Sequence, residues 1–171
     1  KSVDVLQVFM GSVYAGCFYV LIDPSFPIQR IQQILGVLSP SIVVTTQEHK
    51  DKLDESGYAG RTIMMADIPS DLNEEILESI RKQSIDTDPL YGIFTSGSTG
   101  VPKGVVICHR SVIDFIDNFT STFGINETDI IANQAPFDFD VSVKDIYAAL
   151  KTGATLVIVP KELFSKPALL I

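Results

Sequence analysis

Two kinds of apolar pattern alternate along the first half of the chain. Apolar residues at three- and four-residue spacing predict amphipathic helices, and short runs rich in β-branched or aromatic residues predict buried strands. Pro27 suits the first position of one such helix, and Pro40 ends it. In chain order, the predicted elements are a helix over 3–14, a strand over 17–22, a helix over 27–38, a strand over 42–46, a helix over 47–56, a strand over 61–66 and a helix over 71–83.

The second half of the chain continues the alternation around one unusual loop. Strands are predicted over 90–95 and 105–108, followed by a helix over 111–123, a short apolar run over 130–132, a helix over 142–152 and a strand over 154–159. Ser111 with Asp114, and Ser142 with Asp145, have the spacing of capping boxes at the starts of two helices. Gly153 suits the left-handed cap that ends the second of them.

This alternation predicts an α/β fold in which helices flank a layered, mainly parallel sheet. The 171 residues suit one domain or a large piece of one, and a hydrophobic fraction of 46% allows a sizeable core. Both ends of the sequence fall within apolar patterns, so we expect the chain to be a fragment of a longer protein.

Charge and cysteine content exclude several classes of protein. There are 13 basic and 21 acidic residues, and the formal net charge of −8 argues against nucleic acid or an anionic membrane as the main partner. The longest wholly apolar run, 14–22, is too short to span a bilayer. Cys17 and Cys108 are far apart and lie in apolar runs, so we expect two reduced core thiols and a cytoplasmic location.

The loop between the two central strands has the composition of an anion-binding segment. Residues 94–104, FTSGSTGVPKG, contain three glycines, four hydroxyl side chains and one lysine. Glycine lets a backbone approach an anion closely, and N–H groups, hydroxyls and a lysine then donate to it. The segment fits neither the Walker pattern, nor G-x-G-x-x-G, nor a nucleophile elbow. Composition alone leaves two alternatives, a phosphate-binding loop and a flexible hairpin tip.

Three blocks of the sequence resemble the adenylate-forming superfamily, which includes acyl-CoA synthetases, luciferases and amino-acid adenylation domains. The loop over 94–104 matches the glycine-rich motif of that superfamily almost position for position. YAGCFYVLIDPSFP over 14–27 matches a second block, with Leu21 where proline is common, and NQAPFDFDVS over 133–142 is similar to the F-D-x-S block of the amino-acid-activating branch. The resemblance is closest to nonribosomal peptide synthetase adenylation domains and to D-alanine–carrier protein ligase.

The resemblance implies that residues 1–171 are part of the large N-terminal, AMP-binding domain of a longer enzyme. That enzyme would use ATP, with Mg²⁺, to form an aminoacyl-adenylate, and would transfer the aminoacyl group to a phosphopantetheine thiol on a carrier protein. By the same resemblance, the loop would hold the ATP phosphates through Thr95, Ser96, Gly97, Ser98, Thr99, Gly100 and Lys103. The superfamily's catalytic lysine and magnesium-ligand glutamate lie later in the chain, so we expect this fragment to be inactive. His49 and His109 are isolated in the sequence, and neither is a predicted metal ligand.

The F-D-x-S block also implies a substrate site at the start of the helix over 142–152. Asp140 would pair with the α-ammonium of an amino acid; the alternative role for an aspartate at this position is to cap the helix. Val141 and Lys144 would line the pocket for the substrate side chain. Lys144 stands where a large apolar residue is common; it could pair with an acidic substrate, or its stem could pack while its amine reaches water.

Two other functions remain as alternatives at this point. One is an acyl-CoA synthetase-type ligase, which would not need the carboxylate of Asp140, and the other is a nucleotide-binding module without catalysis. An α/β fragment that exposes sheet edges and domain contacts is also expected to self-associate.

Overall fold

The structure is a computed structural model that describes residues 1–69, 71–95 and 100–164. Its elements are α1 (Val3–Tyr14), β1 (Tyr19–Val20), α2 (Ile28–Leu38), β2 (Ile42–Thr45), α3 (Gln47–Glu55), β3 (Arg61–Met64), α4 (Glu74–Gln83), β4 (Pro89–Thr95), β5 (Lys103–Cys108), α5 (His109–Phe123), β6 (Ile130–Asn133), α6 (Val141–Thr152) and β7 (Thr155–Ile158). Short 3₁₀ turns follow β3 at Met65–Asp67 and β7 at Lys161–Leu163. The predicted order of helices and strands is confirmed.

Strand β4 is the centre of the largest described sheet. It pairs in parallel with β1 on one side and antiparallel with β5 on the other. The pairs β2–β3 and β6–β7 are both parallel. Parallel pairing therefore predominates among the described strands, as predicted, but they form three small sheets instead of one layer. The antiparallel pair follows from the short connection between β4 and β5, because a parallel pair would need a long crossover.

Strand β1 is much shorter than the strand predicted over 17–22. Its first predicted residue belongs to the end of α1, where Gly16 adopts a left-handed φ of 70° and the Cys17 N–H donates to the Ser12 carbonyl at 2.9 Å. Cys17 therefore completes the helix cap and cannot join the sheet. The prediction that both cysteines belong to the core was wrong, since Cys17 is exposed and Cys108 is half-buried at the start of α5.

Both predicted capping boxes were also wrong. Helix α5 begins at His109, because the His109 and Arg110 N–H groups donate to the carbonyls of Asp88 and Asp86. Helix α6 begins at Val141, and the Ser142 hydroxyl donates to the Phe139 carbonyl at 2.7 Å instead of capping an N–H group. The end of α6 is as predicted, with Gly153 in the left-handed region at a φ of 77°.

The core packs α5 and α6 against the central sheet. One buried cluster consists of Leu90, Tyr91, Val112, Ile116 and Val143. A second cluster fixes the other side of α6 to α1 through Phe9, Phe137 and Ile146. Each fully buried apolar side chain stabilises the fold by roughly 1.5–3 kcal/mol, so these two clusters hold the start of α6 firmly beside β4. None of the helices in the described ranges combines the length and the apolar character that a membrane crossing requires.

Candidate functional site

The polar loop leaves the sheet at the end of β4. Thr95 is the last residue of β4 and pairs with Lys103, the first residue of β5; the Thr95 hydroxyl donates to the Lys103 carbonyl at 3.5 Å. Gly100 has a φ of 81°, a left-handed conformation that favours glycine. The other predicted phosphate-binding residues lie outside the described residues; they are Ser96, Gly97, Ser98 and Thr99.

An open cleft of about 340 Å³ lies beside the start of α6. All three predicted substrate residues line it, namely Asp140, Val141 and Lys144. The rest of the lining comes from Tyr91, Ile107, Ser111, Val112, Phe115 and Val143. The cleft therefore joins one carboxylate and one lysine to mainly apolar walls, which is the usual composition of a site for a small amphiphilic molecule.

Sequence reasoning missed the contribution of α5 to this cleft. Ser111 and Phe115 are four positions apart, so the same face of the helix presents both. The next residue along that face, Phe119, lies with its ring centroid 5.8 Å from that of Phe115. The spacing was visible in the sequence, but nothing local indicates that this face of α5 packs beside α6.

The cleft and the loop lie at two points along the same strand. Tyr91 lines the cleft, and Thr95 leads into the loop four residues later. At about 3.3 Å per residue, the two positions are about 13 Å apart along β4. Of the described loop residues, Thr95, Gly100 and Lys103 do not line the cleft, so the described part of the loop lies beside the cleft and not within it.

The carboxylate of Asp140 is free for a ligand as far as the described residues extend. Asp140 precedes the first residue of α6, yet its side chain makes no capping hydrogen bond. Within 1–69, 71–95 and 100–164 it has no ion pair either. Burial raises the pKa of Tyr91, and the negative charge of Asp140 adds to that effect. The Asp140 carboxylate therefore lies near enough to influence another residue that lines the cleft.

The ammonium of Lys144 is paired within the protein. Its Nζ donates to Oδ1 of Asp145 at 2.7 Å and lies 5.9 Å from the ring centroid of Phe119. Asp145 is buried, and its Oδ2 accepts a 3.0 Å hydrogen bond from Nδ2 of the fully buried Asn133. The lysine that lines the cleft therefore has its charge offset by a carboxylate on its own helix, an arrangement the sequence had not indicated.

A second acidic residue near the site, Asp138, lies outside this cleft. It lines a small cavity of about 10 Å³ together with Phe9, Tyr19 and Phe137, enough space for about one water molecule. Burial raises the pKa of the Asp138 carboxyl, and the nearby charge of Asp23 acts in the same direction. The Asp138 side chain is half-buried.

Magnesium is the one metal that the sequence implies. Across the ranges that the structure describes, no three histidine, cysteine, aspartate or glutamate side chains come together as a metal site. The described residues therefore do not supply a carboxylate cage for the ion.

Comparison with known proteins identifies the family. The family model described as AMP-binding enzyme matches residues 1–171. Among curated proteins, the D-alanine–D-alanyl carrier protein ligase of Staphylococcus haemolyticus is 40% identical over 161 residues, which is 94% of this chain and 32% of that protein. The L-proline–[L-prolyl-carrier protein] ligase of Pseudomonas fluorescens is 34% identical over an alignment of 178 positions that covers 99% of this chain and 35% of that protein.

Solved structures lead to the same fold. A crystal structure of a nonribosomal peptide synthetase superposes with a TM-score of 0.79 at 27% identity, covering 94% of this chain and 16% of the synthetase chain. The chain thus spans about a third of the length of the curated relatives it matches. From its α/β fold, from its cleft beside β4 and from these matches, the chain belongs to the AMP-binding enzyme family.

Proposed function

We propose that the protein containing this chain activates an amino acid with ATP and passes it to a carrier protein. In the first step, a carboxylate oxygen of the amino acid attacks the α-phosphorus of ATP, which forms the aminoacyl-adenylate and releases pyrophosphate. In the second step, a thiol attacks the aminoacyl carbonyl carbon, which forms a thioester and releases AMP. Residues 1–171 would be part of the AMP-binding domain, and the remaining groups would come from elsewhere in the protein.

The observation that carries this proposal is the unpaired carboxylate of Asp140 in a cleft with apolar walls. A carboxylate in such a place favours a ligand with a cationic group, and the α-ammonium of an amino acid supplies one. The apolar walls beyond it, including Val141 and the stem of Lys144, would contact the substrate side chain. A fatty acid has no cationic group to pair with Asp140, so the cleft favours amino acids over acyl-CoA-type substrates.

The loop after β4 is proposed to hold the β- and γ-phosphates of ATP. Its hydroxyl side chains and N–H groups can donate to phosphate oxygens, and Lys103 adds a positive charge at the start of β5. Phosphoryl transfer depends mostly on positioning and charge neutralisation. Magnesium would arrive bound to the ATP phosphates and would neutralise part of their charge there.

The acceptor is proposed to be the phosphopantetheine thiol of a carrier protein. The proposal is supported by the two ligases reported above, whose names include a D-alanyl and an L-prolyl carrier protein. Because ATP is the co-substrate, we propose that the reaction takes place in the cytoplasm.

Amino-acid-dependent exchange between ATP and pyrophosphate tests the function. The full-length protein would be assayed with D-alanine, L-proline, the other common L-amino acids and a fatty acid. We expect exchange with a narrow set of amino acids and none with the fatty acid. Exchange with the fatty acid alone would contradict the role given to Asp140, and no exchange with any acid would favour a nucleotide-binding module without catalysis.

A further inference from the structure

The ion pair between Lys144 and Asp145 determines which charges the cleft presents. Lys144 lines the cleft, and about a third of its side chain is exposed there. Its Nζ lies 2.7 Å from Oδ1 of Asp145, whose side chain is only 9% exposed. The positive charge of Lys144 is therefore already paired with the Asp145 carboxylate before a ligand enters the cleft.

Asp145 is held so that its carboxylate cannot turn away from the lysine. The Nδ2 of Asn133, a fully buried residue at the end of β6, donates to Oδ2 of Asp145 at 3.0 Å and leaves Oδ1 to Lys144. Lys1 approaches the same group from another side, since its Nζ donates to the Asn133 carbonyl at 2.7 Å. Burial lowers the pKa of Lys1, and the negative charge of Asp145 opposes that shift. The hydrogen bond from Asn133 thus orients the Asp145 carboxylate toward the Lys144 ammonium.

The cleft is thus asymmetric in charge. Asp140 offers a carboxylate that no described residue neutralises, whereas the ammonium of Lys144 is already paired. An amino acid with an uncharged side chain satisfies this arrangement with its ammonium alone. An acidic side chain beside Lys144 would have to compete with the buried carboxylate of Asp145, and would itself be repelled by that carboxylate.

We propose that Asp145 is a positioning residue that excludes acidic amino acids from the cleft by keeping Lys144 paired. This inference rests on the proposed function, because it assigns a substrate class to the same amino-acid site. It predicts that the natural substrate has no acidic side chain although a lysine lines the pocket.

The test compares acidic and uncharged amino acids in the full-length protein. The readout is the ratio of kcat/KM in ATP–pyrophosphate exchange for the best uncharged amino acid over that for aspartate or glutamate. Asp145→Asn is nearly isosteric: its oxygen can still accept from Asn133, and its NH₂ group would then face the Lys144 ammonium, a second donor. We expect the wild-type ratio to exceed 100-fold and Asp145→Asn to reduce it at least ten-fold, mainly through a lower KM for the acidic substrate.

The double variant Lys144→Met/Asp145→Asn is the matched control, because it also removes the Lys144 ammonium that Asp145→Asn leaves without a carboxylate partner. It should lose the gain with acidic substrates that Asp145→Asn confers. A purely structural role for Asp145 would lower kcat/KM for all substrates together and leave the ratio unchanged, which would overturn the inference.

The wild-type ratio can overturn the inference even if a variant does not fold. A wild-type preference for aspartate or glutamate would overturn the inference and leave the proposed function standing. Absence of exchange with every amino acid would instead contradict the proposed function, so the two failures are distinct.

Discussion

Replacing Asp140 with asparagine tests whether the cleft recognises an amino acid by its ammonium group. Asparagine keeps the size of the side chain but removes its charge. In the described residues, the Asp140 side chain neither caps α6 nor forms an ion pair, so the substitution should leave the fold intact. The loss should therefore appear in substrate recognition and not in stability.

The structure sets limits on the size of this loss. An ammonium and a carboxylate about 4 Å apart interact by about 1 kcal/mol in bulk water and by about 4 kcal/mol at the effective dielectric constant near a protein surface. Asp140 is exposed and the cleft is open, so its environment lies between these limits. With a factor of ten for each 1.4 kcal/mol or so, kcat/KM should fall roughly 5-fold to 10³-fold.

The assay compares an amino acid with its deamino analogue, which has the same side chain and carboxylate but no ammonium. ATP–pyrophosphate exchange by the full-length protein gives kcat/KM for each. Asp140→Asn should reduce the preference for the amino acid and leave the weak exchange with the analogue nearly unchanged. Asp138→Asn is the matched control: the same substitution two positions away, at a residue that does not line the cleft.

An equal fall for the amino acid and its analogue would refute the reasoning, because it would mean that Asp140 supports the start of α6 and does not bind the ammonium. The reasoning would also fail if Asp138→Asn, and not Asp140→Asn, removed the preference for the amine.

Three further predictions concern the loop, the small cavity and the isolated chain. Lys103→Ala should raise the KM for ATP several-fold with little change in the KM for the amino acid, measured by exchange at varied ATP, because Lys103 adjoins the loop and not the cleft. Burial raises the pKa of Asp138 above 3.8, so between 3.8 and the raised pKa the native state binds more protons than the unfolded state, and stability falls as pH rises through that window. Asp138→Asn should therefore raise the melting temperature at neutral pH, and this gain should vanish below pH 3.8. An equal gain at neutral pH and below pH 3.8 would contradict the conclusion that burial of the charged carboxylate destabilises the fold. The isolated 171-residue chain should form no aminoacyl-adenylate, and detectable adenylate would contradict this prediction. Because Phe123 and Ile130 are exposed, the chain should also self-associate, and light scattering that shows only a monomer at high concentration would contradict that.

Much of the fold could be predicted because local patterns decide it. The bounds of α1, Val3–Tyr14, match the predicted helix, and the strand and helix order is correct throughout the described residues. The start of α5 was predicted wrongly because its first N–H groups bond to backbone carbonyls that are distant in the sequence. The start of α5 depends on carbonyls of Asp86 and Asp88, more than twenty residues earlier in the chain, and no local spacing reveals these bonds.

The site was predictable in part, and for a different reason. Asp140, Val141 and Lys144, which the F-D-x-S block singled out, line one cleft, and their roles in substrate binding stay predictions. Their charge balance was not predictable, because adjacent residues on a helix do not normally face each other and Lys144 reaches Asp145 only through its long side chain. The roles of the residues between Thr95 and Gly100 stay predictions, since those residues lie outside the described part of the chain.

Strand β4 has a consequence for how such a site can diversify. The floor of the cleft at Tyr91 and the origin of the loop at Thr95 belong to one hydrogen-bonded strand, so the peptide backbone sets the interval between them. Side chains at Val141, Lys144 or Phe115 can therefore be exchanged to fit a new substrate without altering that interval. A single inserted residue in β4, by contrast, would lengthen it by about 3.3 Å and turn every later side chain to the opposite face. Strand β4 therefore keeps the distance between the cleft and the loop constant. We expect related proteins to differ by substitutions at the residues that line the cleft and only seldom by insertions in β4.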